Sequence, residues 1–133
     1  MCMQRRSVQQ GEKEHDAPMK YMVMIANTEE GWSALPDGEQ AALYGRISSW
    51  WDEQTAAGKI VGGHQLQGAD TATTVRRDLA GNATVTDGPF LEAKEVVGGY
   101  AVIDVADLDE AIALVSEWPA PDILEIRPIS NRM

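Results

Sequence analysis

A single α+β domain built on an antiparallel sheet is what this 133-residue chain predicts, and three observations carry it. Strand-length apolar runs and helical stripes follow one another in the order strand, helix, strand, hairpin, strand, helix, strand. Two of those strands are apolar on both alternations, which implies cover on both faces. The stretch 86–100, TDGPFLEAKEVVGGY, packs a turn, a charged loop and a paired glycine into fifteen residues. Core building alone does not explain it.

Residues 1–18 are mostly polar and show neither helical nor strand period, so they read as a disordered leader ahead of one domain over 19–133. Residues 20–26 (KYMVMIA) have strand length, with Tyr21, Val23 and Ile25 on one side and Met22 and Met24 on the other. Residues 27–38 read as a loop from their Asn, Gly, Pro and Asp content. A helix follows from Pro36 or Asp37 to about Ala57, where Gly58 stops it. Leu43, Ile47, Trp50 and Trp51 recur on one face of it. The two indoles point about 100° apart, so one of them can reach a cleft edge while the other packs in the core.

Residues 59–67 (KIVGGHQLQ) predict a second strand, interrupted at Gly62–Gly63 by a bulge or a close backbone approach. Residues 71–77 and 83–86 form the arms of a hairpin turned by Ala80, Gly81 and Asn82. Residues 96–105 predict a third main strand. Asp107 caps a second helix running through Trp118, with Leu108, Ala111, Ile112 and Val115 as its buried stripe. The last strand spans 123–129. The order is ferredoxin-like β-α-β-β-α-β with an inserted hairpin, which places both helices on one face of a four-stranded sheet. The opposite face would meet water, yet the first and third strands are apolar there too. A second copy of the chain is the simplest cover, giving a homodimeric α+β barrel.

Charge and composition narrow the function. The net charge is -10, and the leader contributes nothing to it, since Arg5, Arg6 and Lys13 balance Glu12, Glu14 and Asp16. Such a body repels polyanions, so nucleic acid is not an expected partner. One cysteine and two histidines give no metal-ligand cluster, and no metal or other cofactor is expected. No apolar run approaches the roughly 20 residues of a membrane span, nor is there a secretory signal; no membrane partner is expected, and the location is expected to be cytoplasmic.

In the organising stretch, Pro89 restrains Gly88, and Asp87 before a glycine can close an Asx-type turn or act as a functional carboxylate. Phe90, the only phenylalanine, is expected to plug the loop onto the sheet. The segment VTDGPFLEAKEVVGGYAVIDVADLDEAI, with the opening MKYMVMI and the segments GKIVGGHQLQ and TATTV, resembles the YCII-related, DGPF-type proteins. The resemblance runs from Met19 to Ile129. It implies a ferredoxin-like chain that dimerises into an α+β barrel, genes associated with those of sigma factors, and no assigned activity.

The wider group's pocket carries a His-Asp pair, a combination suited to acid/base work. The group's helix histidine falls near Ile47 here, which transfers no proton. His64 lies instead in the GGHQLQ strand, where relatives more often carry an acid, whereas Asp87 matches the motif. The resulting expectation is a pocket lined by Asp87, Phe90, Tyr100, His64 and one of Trp50 or Trp51. In it Asp87 serves as base or anchor, His64 as proton partner and the aromatics as ligand-binding walls. The competing expectation is a non-catalytic accessory protein whose acidic surface meets a transcription-factor partner.

Overall fold

The computed structural model describes residues 19–89 and 95–130. Its elements are β1 (Met19–Thr28), α1 (Glu29–Ser33), α2 (Asp37–Ala56), β2 (Ile60–Gln65), β3 (Thr73–Arg77), β4 (Ala83–Asp87), β5 (Glu95–Val105), α3 (Leu108–Val115) and β6 (Ile123–Pro128), with a 3-10 turn at Ala69–Thr71. The four long strands form one sheet in the order β2-β5-β1-β6, antiparallel at every joint, while β3 and β4 pair apart as a hairpin. Two β-α-β units whose strands interleave in this way are consistent with the expected ferredoxin-like arrangement.

Strand alternation divides the sheet into two unequal faces. Tyr21, Val23 and Ile25 of β1 and Ala101, Ile103 and Val105 of β5 are buried against Ala111, Leu114 and Val115 of α3. Leu124 and Ile126 of β6 and both Trp50 and Trp51 of α2 pack onto the same core. Ile103 and Val23 are the deepest side chains, at 1% and 2% exposure. On the other face Met22, Met24, Tyr100 and Val102 stand in register and are half-buried. Lys20 opposite Asp104, and Glu125 beside Arg127, flank them.

Two elements differ from expectation. The predicted loop 27–38 contains the short helix α1, held by contacts remote in sequence: Trp32 Nε1 donates to Asp122 Oδ1 at 2.8 Å. Gln40 Nε2 donates to the carbonyls of Trp32 and Leu35, tying α1 to the start of α2. In α3 the buried stripe is Ala111, Leu114 and Val115, and Leu108 and Ile112 face outward. The cap fixes where the helix begins. Asp107 Oδ1 accepts from Glu110 N at 2.9 Å while Glu110 Oε1 accepts from Ala106 N at 2.8 Å, a reciprocal lock of the first turn. The helix proper ends at Val115, and Ser116–Trp118 continue only as turns.

The hairpin stands apart. Val75 and Val85 face each other across it at 58% and 63% exposure, although a lone two-stranded hairpin is marginal in water. Its tip is closed by Asp78, whose carboxylate accepts from Asn82 N at 2.9 Å and from Asn82 Nδ2 at 3.2 Å. The backbone and side-chain bonds from Asn82 hold the Asp78 pKa below its ordinary value of 3.8. A lowered folded-state pKa means the turn contributes its stability above pH 3.8 and loses it as pH falls through that lower value. Protection of the Asn82 amide against exchange, taken relative to its intrinsic rate at each pH, is therefore expected to fall in acid below about pH 4, and unchanged protection there would show that the carboxylate does not hold the turn.

Candidate functional site

A cavity of about 350 Å³ opens between α2 and the helix-covered face of the sheet. From α2 come Tyr44, Ile47, Ser48, Trp51 and Asp52, spaced i, i+3, i+4, i+7 and i+8 along one side of the helix. Ile25 and Asn27 enter from the end of β1, Trp32 from α1, and Trp118 and Asp122 from the α3–β6 connection. Backbone from β2 and from Gly98–Gly99 of β5 closes the floor. Gly63 is indispensable there. Its φ is 136°, and a Cβ would lie 2.8 Å from Ala101 Cα and 2.9 Å from the Trp51 ring.

The rim is organised by one carboxylate. Asp122 Oδ1 accepts from Trp32 Nε1 at 2.8 Å, and its Oδ2 accepts from Trp118 Nε1 at 2.9 Å. Each indole is thereby fixed at its polar edge while it lines the cavity. Trp32 stacks at a tilt on Tyr44, centroids 5.0 Å apart, and Trp118 takes Trp50 edge-on at 5.5 Å. Asp52 sits exposed at the mouth, and no hydrogen bond or ion pair ties it to another described residue.

The residues expected at the site are dispersed. Of the two tryptophans, Trp51 lines the cavity, whereas Trp50 is rotated toward Trp118 and a shallow groove with Arg46, Glu53 and Pro119. The backbone of β2 at His64 borders the cavity. Alternation from Gly63 nevertheless turns the imidazole to the other face, where its ring lies 6.0 Å from that of Tyr100. Tyr100 thus belongs to the open face as well. Asp87 ends β4, exposed, opposite Thr73; the neighbouring Gly88 is bound to Ala72 and Thr74. No hydrogen bond or ion pair joins Asp87 to His64. Phe90 lies outside the described residues.

Trp32, Asp52, Trp118 and Asp122 were not among the expected site residues. The only sequence signal for them was a pair of tryptophans in segments too short to show a period. Among the described residues no group of histidine, cysteine or carboxylate side chains could hold a metal, and no helix is long and apolar enough to cross a membrane. Burial raises the pKa of the Tyr21 phenol in the core, with Asp107 and Asp109 adding to the effect.

An uncharacterised protein of Rhizobium meliloti (strain 1021) is 33% identical over 116 residues, which cover 84% of this chain and 93% of that protein. Residues 19–131 match the YCII-related domain, so the sheet, both main helices and every wall of the cavity fall inside the matched segment. The chain belongs to the YCII-related family.

Proposed function

We propose that the chain works as a homodimer and that each copy binds a small molecule in the cavity between α2 and the sheet. The observation that carries the binding reading is the cavity wall. Three indoles and a phenol line about 350 Å³, with two carboxylates, a serine and an asparagine converging on the same space. Ligand pockets combine these traits: concave, mostly apolar, with few polar groups. A thermal-shift screen against a broad metabolite library tests it. A binder is expected to raise the Tm of the wild type and to lose its effect in Ser48→Phe, which fills the mouth from an exposed helix position and leaves the core intact. A library in which nothing shifts the wild type would sink this reading.

The dimer rests on different observations. Met22, Met24, Tyr100 and Val102 form an apolar strip that is only half-buried, and the hairpin projects two paired, exposed valines. Asp104 Oδ1, on the same face, is buried without a hydrogen-bond partner among the described residues. Charges of both signs flank the strip, so the face can complement itself about a two-fold axis. Light scattering is expected to give twice the chain mass for the wild type and one chain mass for Met24→Glu, which places a charge at the centre of the strip. A monomeric wild type would exclude the pairing. An acid/base role for Asp87 and His64 belongs to this dimer only, since a second copy would have to bring the two together.

A further inference from the structure

The cavity's chemistry is one-sided in charge. Asp52 and Asp122 face it, and among the described residues that line it there is no lysine or arginine. Its other polar contributors, Ser48, Asn27 and Gln65, offer oxygens as readily as donors. Four aromatic side chains, Trp32, Tyr44, Trp51 and Trp118, stand around the same space. Rings of this kind present a negative face, and indole does so most strongly. The carboxylate of Asp122 is already engaged by two indole N–H groups, which fixes it as a stationary negative charge behind the tryptophans. The Asp52 carboxylate, by contrast, has no hydrogen bond or ion pair to another described residue and is exposed at the mouth, where it can reach an incoming group.

Taking the cavity as the binding site proposed above, we infer that its ligand is an organic cation: a protonated or alkylated amine carried on a flat apolar body. An anionic ligand would meet two carboxylates with no countercharge among the described lining residues, a costly arrangement in a partly dry site. A neutral apolar ligand would fill the aromatic walls but leave the Asp52 charge unanswered. A cation satisfies both elements, since aromatic faces and a carboxylate attract it together. The body's net charge of -10 raises the local concentration of cations in the same sense.

Three probes of matched shape separate charge from shape: phenethylammonium, 2-phenylethanol and phenylacetate, titrated calorimetrically at low salt into the full chain. The expected order is the ammonium ion tightest, by about tenfold over the alcohol, and phenylacetate weakest. Asp52→Asn is expected to shrink that preference to about twofold, weakening the ammonium ion far more than 2-phenylethanol. The position is exposed, so the variant should fold. Trp51→Phe is expected to weaken the ammonium ion more than the alcohol, because a smaller ring is the poorer cation partner. Phenethylammonium binding no tighter than 2-phenylethanol, or phenylacetate binding best, would overturn the cation assignment and leave the cavity reading standing. If no library compound and none of the three probes binds, the cavity reading falls and this inference with it.

Discussion

Gly63→Ala is expected to cost about 4 kcal/mol of unfolding free energy, a large effect for a single added methyl. Two penalties combine. The backbone at Gly63 holds φ at 136°, a conformation that any side chain strains. The new methyl would also press on the Tyr100 carbonyl oxygen and lie 2.8 Å from Ala101 Cα, both parts of the neighbouring strand's backbone, which cannot swing aside. The Trp51 ring on the third side closes the remaining escape. A urea titration followed by far-ultraviolet circular dichroism reads the loss as a lower midpoint with an unchanged slope. A cost under about 1 kcal/mol would mean that β2 can slide along β5, and the bulge at Ile60–Gly62 would be its source.

Asp122→Ala is expected to cost about 3 kcal/mol, because it removes the shared acceptor of two indole N–H groups and leaves both half-buried donors without a partner. Asp122→Asn separates the components. An amide presents one oxygen and one NH₂, so it can keep one indole bond and must oppose a donor to the other. Its expected cost lies between wild type and Ala, read by the same titration. Equal costs for Asn and Ala would show that the charge, rather than the pair of bonds, holds α1 against the α3–β6 connection.

The two substitutions also mark what could and could not be read before the fold was in hand. The helix α2, its apolar face and its arrest at Gly58 follow from local rules, since period, dipole and glycine all point the same way. The two-sided strands β1 and β5 were equally legible, because alternation is a property of the backbone alone. Helix α1 was not. Its five residues have no local reason to be helical, and the bond that fixes Trp32 spans 90 positions of sequence. The stripe of α3 was misphased for a related reason: in an eight-residue segment the apolar residues Leu108, Ile112, Leu114 and Val115 cover most of the circumference. Only packing chooses which of them lies inward.

The candidate site was less legible than the fold. Adjacent tryptophans fixed the neighbourhood, but choosing Trp51 over Trp50 required knowing on which side of α2 the sheet opens. Asp122 lies in WPAPD, a segment that reads as a turn. Its role depends on two indoles arriving from either side. Motif reading favoured Asp87 for its place beside Gly88–Pro89, and in the single chain that place is the exposed end of a hairpin.

The arrangement of the tryptophans has an optical consequence. The chain has four of them; three line the cavity, and the fourth, Trp50, touches one of those three. None lies on the hairpin or on the uncovered face of the sheet. Intrinsic indole emission is therefore a local gauge, sensitive to whatever enters the cavity or loosens Asp122, and nearly silent on whether two chains have met. Tyrosine gives no matching view of assembly: Tyr100 lies on the other face of the sheet, but Tyr44 lines the cavity beside Trp32 and Tyr21 is buried in the core. Excitation at the indole edge sets all three tyrosines aside. A ligand titration read there follows the pocket alone, and assembly has to be read from mass.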